Sequence, residues 1–185
     1  MRAMIIGVPC RGKTTLCNKL KEQYPDIRVC NLGHIRNDMG LHTPHQGFDL
    51  EVAPQDLGCY YKVLRTLLRH NSENYVMEGY GLGPRKALKM AEQFDMPIVL
   101  LAHQETTTAE DDLYKSLQYD AETKWTRRRT HPYLYDLFSF YKTVEQKWVR
   151  QMPKDMVFYT DEAFETTIDA AYDYLVAKYE ELKVW

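Results

Sequence analysis

Near the amino end, Gly7-Val8-Pro9-Cys10-Arg11-Gly12-Lys13-Thr14 fits the pattern G-x-x-x-x-G-K-[ST] at every fixed position. The chemistry of that spacing is anion binding. Glycines let a backbone fold tightly around an anion, so that several N–H groups point inward. A helix starting near Lys13 adds the positive end of its dipole. Lys13 can reach the β- and γ-phosphates of a nucleoside triphosphate, and the Thr14 hydroxyl can hold a Mg²⁺ that bridges the same oxygens. Thr15 adds a contact to the α-phosphate. The stretch Gly7, Val8, Pro9, Cys10, Arg11, Gly12, Lys13, Thr14 and Thr15 therefore reads as a cradle for a nucleoside triphosphate. Cys10 has a redox reading, since main-chain donors acidify a thiol. Space-filling in the loop is the simpler one.

Other residues could act on what the cradle holds. Glu78 ends a predicted strand, where a parallel sheet delivers residues to a ligand crevice. A carboxylate there can orient or deprotonate an acceptor hydroxyl, or act through Mg²⁺-bound water. A charge directly after Val76-Met77 is partly buried and needs a reason, which favours function over a turn cap. Arg36 and Arg85 carry planar forks suited to an acceptor phosphate or carboxylate; the alternative for each is a solvated arginine. Lys124-Trp125-Thr126-Arg127-Arg128-Arg129 is the densest basic run. Opposite a triphosphate, such guanidiniums can stabilise charge on a transferring phosphoryl group by closing as a lid. Arg128 is the expected catalytic member, beside Lys13 and Glu78, with Arg127 and Arg129 on the substrate. In the loop 40–54, Phe48 can stack on a base while Gln46 or Asp49 reads its edge; a surface turn is the plain alternative. His42-x-x-His45 lacks the further ligands of a metal site.

The elements that must position these residues follow from hydrophobic patterning. Short β-rich runs alternate with longer helical stretches. Strands are predicted over 1–8, 27–32, 75–79, 96–102 and 156–159. Helices are predicted over 13–24, from Pro54 on, over 84–94, and from about Asp161 on. After Pro54, Leu57, Tyr60, Tyr61, Leu64, Leu67 and Leu68 share one helical face. Phe164, Ile168, Ala171, Tyr172, Leu175, Tyr179 and Leu182 form the last stripe. From Gly33 to Pro54 the pattern dissolves into a long loop. Residues 107–151 read as helical, broken near Pro132. Strands separated by helices argue for βαβ units: an α/β fold with a five-stranded parallel sheet and helices on both faces.

The chain has 185 residues, 44% hydrophobic and 27% charged, with a net charge of −2. That excludes a disordered or collagen-like chain and fits one domain, 1–185. No apolar run reaches the roughly 18 residues that span a bilayer, and the opening strand turns into a glycine loop too early for a signal peptide. Four scattered cysteines suit free thiols in a reducing cytoplasm, not a disulfide framework or zinc site. A protein holding a long stretch of nucleic acid is usually more basic.

Neither N-K-x-D nor D-x-x-G is present, which sets aside a guanine-nucleotide switch. Motor and transporter ATPases are usually larger, so a small kinase remains. The chain resembles the adenylate-kinase-like group of P-loop nucleoside and nucleotide kinases. Its loop with Pro9 is similar to their G-x-P-G-S-G-K-[ST]. Gly33-His34-Ile35-Arg36 looks like their G-D-L-L-R, and Val76-Met77-Glu78-Gly79-Tyr80 with Pro84-Arg85 looks like their L-D-G-F-P-R. Cys10-Arg11 replaces Gly-Ser, His34 replaces the acidic residue, and extra residues precede Pro84. The resemblance implies the three-layer P-loop fold, an acceptor-binding loop at about 33–56, a helical lid at about 105–150, and ATP with Mg²⁺. The expected activity is transfer of the γ-phosphoryl group to a nucleoside, nucleoside monophosphate or similar small molecule. Two alternatives stand beside it. One is a kinase on nucleic acid, at a 5′-hydroxyl or hydroxymethylated base, with Arg65, Arg69, Lys86, Lys89 and Arg127–Arg129 as a basic track. The other is a nucleotide-sensing module without phosphotransfer.

Overall fold

The computed structural model describes residues 1–41, 52, 55–70, 74–119 and 130–183. In chain order these form β1 (Arg2–Ile6), α1 (Lys13–Gln23), β2 (Arg28–Asn31), α2 (Leu32–Asp38), α3 (Leu57–His70), β3 (Tyr75–Gly79) and α4 (Pro84–Gln93). Then follow β4 (Ile98–Ala102), α5 (Ala109–Tyr119), α6 (His131–Val149), a 3₁₀ turn (Lys154–Met156), β5 (Val157–Tyr159) and α7 (Phe164–Lys183). The strands form one parallel sheet in the order β2-β3-β1-β4-β5. This is the α/β architecture that the alternating pattern predicts.

Alternation along the buried strands sorts the core into two layers. Ala3 and Ile5 of β1, Val76 of β3, and Val99 and Leu101 of β4 face Leu16, Cys17 and Leu20 of α1 and Ile168, Ala171 and Leu175 of α7. Met4, Ile6, Met77, Ile98 and Leu100 face the other way, toward Tyr60, Leu64 and Leu68 of α3, Ala87 and Met90 of α4, and the buried Trp148 of α6. A parallel sheet needs such cover on both faces. A third, smaller cluster joins Val8 to Leu113 of α5 and Leu134, Leu137, Phe138 and Tyr141 of α6. It seats these two helices over the loop that follows β1.

Two segments differ from the patterning. Leu32, expected as the last residue of the second strand, and 33–38, expected as the start of a long loop, are helix. Asn31 caps that helix: its Oδ1 accepts from the His34 N–H at 2.9 Å, which satisfies one of the orphan donors of the first turn. Seven residues are too few to show a hydrophobic period, so only the cap marks it. The helical stretch 107–151 is broken near Pro132, as expected: Thr130 is extended and a new helix, α6, starts at His131. Pro132 occupies the first turn of that helix, where its missing N–H costs nothing. The last stripe also ends early, because Leu182 is exposed.

Strand spacing fixes where glycine is required. A Cβ on Gly7 would lie 2.5 Å from the Leu101 carbonyl oxygen, which is backbone and cannot swing aside. Gly40 has φ +66 with nothing within 4 Å of such a Cβ. Gly7→Ala should therefore lower unfolding stability by about 2 kcal/mol or more. Gly40→Ala should cost only the roughly 1 kcal/mol of a strained φ. Urea unfolding of the two variants checks this ordering.

Candidate nucleotide and acceptor site

The site lies where β1, β2 and β3 end together. Ile6 pairs with Gly79 and Asn31 with Glu78, and the Gly7 N–H donates to the Gly79 carbonyl oxygen at 3.3 Å. The chain then turns through Gly7–Gly12 and enters α1. Cys10 takes φ +64 and Gly12 φ +81. Glycine carries the second at no steric cost, whereas a side chain at the first costs about 1–2 kcal/mol. Gly12 is the N-cap of α1. Among the described residues no side chain caps the first N–H groups, and no acidic residue stands in the first turn. The positive end of α1 is thus left for an anion.

Lys13 is buried, and its Nζ donates to the Val8 carbonyl oxygen at 2.7 Å. Burial pushes its pKa below the ordinary lysine value, and the negative charge of Glu78 offsets only part of that. The ammonium therefore rests against its own loop, within range of an incoming phosphate. Thr14 and Thr15 are exposed at the start of α1. A hydroxyl beside uncapped N–H groups and a lysine is a donor set that fits a Mg²⁺–triphosphate.

Glu78 is buried at the end of β3. Asn31 Nδ2 donates to its Oε1, so one amide side chain both caps α2 and fixes this carboxylate. On α2, Gly33 packs against the Tyr80 ring, where a Cβ would lie 3.0 Å from it. That close approach brings the buried Arg36 over the same ring, 5.1 Å from its centroid. Glu78, Asn31, Arg36 and Tyr80 thus line one corner beside the phosphate loop.

Arg11 is placed differently from its neighbours. Its guanidinium is wholly buried and turned into α5 and α6. Nε donates to Glu145 Oε1 at 2.6 Å, and Nη2 to Glu145 Oε2 at 3.1 Å and to Asp112 Oδ2 at 2.5 Å. Asp112 Oδ1 lies 2.5 Å from His103 Nδ1. Burial works against the charge of Arg11, yet Glu145 and Asp112 outweigh it and raise its pKa. Burial likewise opposes the Asp112 carboxylate, but the His103 hydrogen bond and the Arg11 charge hold its pKa below the usual range. What Arg11 can offer a phosphate is its main-chain N–H.

No protein-family model and no curated protein matches the chain. Solved structures do. The shikimate kinase of Aquifex aeolicus vf5 is similar over 100% of this chain and 99% of its own, at 19% identity and a TM-score of 0.50. The shikimate kinase of Bacteroides thetaiotaomicron is similar over 94% and 97%, at 14% identity and a TM-score of 0.54. The chain has the α/β fold of these two solved structures. The resemblance read from the loop and from the residues after the second and third strands is supported at that level.

Within this fold, Lys13 lies in the field of Glu78, and Arg36 stands over Tyr80, two residues beyond Glu78 in the chain. Arg85 is exposed on the first turn of α4 and makes no hydrogen bond or ion pair among the described residues. Phe48, Arg127, Arg128 and Arg129 lie outside the described residues. Sequence reasoning missed Asn31, Tyr80 and the partners of Arg11. Asn31 had a local signal, as an N-cap type directly before Leu32. Asp112 and Glu145 had none, since they stand 101 and 134 residues from Arg11.

The Asp112 shift has a sign. Its folded pKa lies below the unfolded value of about 3.9. The stabilisation is complete above roughly pH 4 and is lost as pH falls through the folded value. Asp112→Asn should be less stable than wild type at pH 7, and the difference should shrink as pH falls through the folded value, as urea midpoints across pH would record.

Proposed function

We propose that the protein is an ATP-dependent kinase, acting with Mg²⁺, that transfers the γ-phosphoryl group to a hydroxyl or phosphate of a nucleoside, nucleoside monophosphate or similar small molecule. The observation that carries this reading is the pairing of two features at one sheet edge. The uncapped start of α1 and the buried Lys13 face Glu78, a carboxylate oriented by Asn31. The kinase identity of the structural neighbours supports it.

The roles follow from charge and position. The N–H groups of Gly7–Gly12 and α1 bind the phosphate chain, with Thr15 at the α-phosphate. Lys13 leaves the Val8 carbonyl for the β- and γ-oxygens. Thr14 would hold Mg²⁺, which when bound neutralises charge on the β- and γ-phosphates. As the acceptor oxygen bonds to the γ-phosphorus, the bond to the β-phosphate oxygen breaks and ADP leaves. Glu78 takes the proton of an acceptor hydroxyl; a phosphate acceptor needs no base. Arg36 holds an anionic group of the acceptor with its planar fork. Shikimate, named for both neighbours, is a hydroxylated carboxylic acid, and Arg36 suits a carboxylate as well as a phosphate. Arg128 stabilises the transferring group, while Arg127, Arg129, Phe48 and Arg85 serve the acceptor. The cytoplasm, where free thiols persist, suits the four cysteines, none of which is in a disulfide.

A transfer screen with γ-labelled ATP tests this reading. Its acceptors are nucleosides, nucleoside monophosphates, hydroxylated carboxylic acids, and unmodified and hydroxymethylated DNA. Label should reach a small acceptor and not DNA. Label on DNA alone, or ATP binding with no transfer at all, would replace the reading with one of its alternatives.

Two substitutions probe the roles. Lys13→Met should reduce turnover at least about 10²-fold, without lowering the thermal midpoint, because it removes a charge that burial disfavours. Glu78→Gln should lower kcat far more than ATP affinity if the acceptor is a hydroxyl. Steady-state kinetics beside calorimetric ATP titration separates the two quantities.

A further inference from the structure

One side chain of the phosphate loop is withdrawn from any ligand. Arg11 is wholly buried between Glu145 of α6 and Asp112 of α5, and Asp112 is itself fixed by His103 at the end of β4. The Arg11 carbonyl oxygen lies 3.5 Å from the Thr160 hydroxyl, just past β5. Only Nη1 of its guanidinium is buried without a hydrogen-bond partner among the described residues. The residue directly before it, Cys10, sits at φ +64. A side chain disfavours that region, and a released loop would leave it. An arginine gripped through two edges of its planar fork, by contrast, has a fixed orientation. The fixed residue and the strained one share a peptide bond.

We propose that Arg11 is a positioning residue for nucleotide binding. Held by Glu145 and Asp112, it keeps Cys10 in the left-handed conformation and so preforms the N–H groups that receive the phosphates. Arg11 acts through the backbone, not by touching the nucleotide with its guanidinium. The inference rests on the reading of Gly7–Thr15 as the nucleotide cradle. A cluster that merely knits α5 and α6 to the sheet would stabilise the fold and leave ATP affinity untouched.

Arg11→Met alone leaves two buried carboxylates without their cation and destabilises the protein under either account. The informative variant is Arg11→Met with Asp112→Asn and Glu145→Gln, which removes the charges together. Its urea midpoint and its ATP dissociation constant from calorimetry are compared with those of the wild type. The variant should fold while binding ATP about 10-fold more weakly, the scale of the strain released. Adding Cys10→Gly makes the positive φ costless and should recover at least about five-fold of that loss. ATP affinity equal to wild type in the triple variant would overturn the proposal. So would a weakened affinity that Cys10→Gly does not recover. If the triple variant does not fold, Glu145→Gln is measured in the same way with and without Cys10→Gly, and the same two results decide. Failure of the wild type to bind ATP would overturn both this proposal and the nucleotide reading of the loop.

Discussion

The structure depends on one turn, in which a strand buried from Ala3 to Ile6 must become a helix while leaving its N–H groups open to an anion. Everything around that turn is close-packed. Gly7 passes so near β4 that the Leu101 carbonyl leaves no room for a Cβ. At Gly12 a Cβ would lie 2.8 Å from the Phe164 ring of α7. Val8 is buried against α5 and α6, and Arg11 is locked between carboxylates on the same two helices. The turn is therefore gripped by the sheet, by α7 and by the α5–α6 pair, and only its concave side is left to a ligand. Preorganisation of this kind lowers the cost of ordering groups at the moment of binding.

Charge is handled by separation. Lys13 and Arg11 stand two residues apart, are both cations and are both buried. Arg11 is neutralised on one side of the loop by Glu145 and Asp112. Lys13 meets no ion pair among the described residues; it donates to a carbonyl and feels the field of Glu78. A salt-bridged lysine would have to give up its partner to bind a phosphate. A lysine resting on a carbonyl gives up much less. The pairing of one cation and the near-isolation of the other divide structural support from chemistry within a few residues.

The parts of this arrangement that local patterning dictates were legible in the sequence. The strand Tyr75–Gly79 and the start of α4 at Pro84 fall where predicted, because a short β-rich run and a proline at the first helical position are local signals. The buried face of α3 through Tyr60, Leu64 and Leu68 follows from spacing alone. The sheet order did not follow, since nothing in the five short strands names a neighbour. Helix α2 was hidden by its length. At the site, the loop and Glu78 were legible because position along one strand defines them. Arg36 was legible as a residue type but not in its burial, which depends on Gly33 packing against Tyr80.

Arg11 shows why the remainder was beyond a local reading. A guanidinium has no place in a protein interior unless carboxylates meet it there. An arginine between Cys10 and Gly12 therefore implies acidic partners somewhere in the chain, but spacing cannot say where. Of the 26 acidic residues, the two that serve are Asp112 and Glu145. Asp112 lies in an acidic first turn, where helix-dipole compensation is explanation enough. Glu145 lies on a long helix whose neighbours Val144 and Trp148 read as packing. Each has a sufficient local account, so neither advertises a partner. Their common purpose exists only once α5 and α6 cross over the loop, and that crossing is set by apolar contacts of Val8, Leu113 and Phe138. The apolar cluster brings the charges together; the charges then fix the one loop conformation that the apolar contacts, being non-directional, cannot specify.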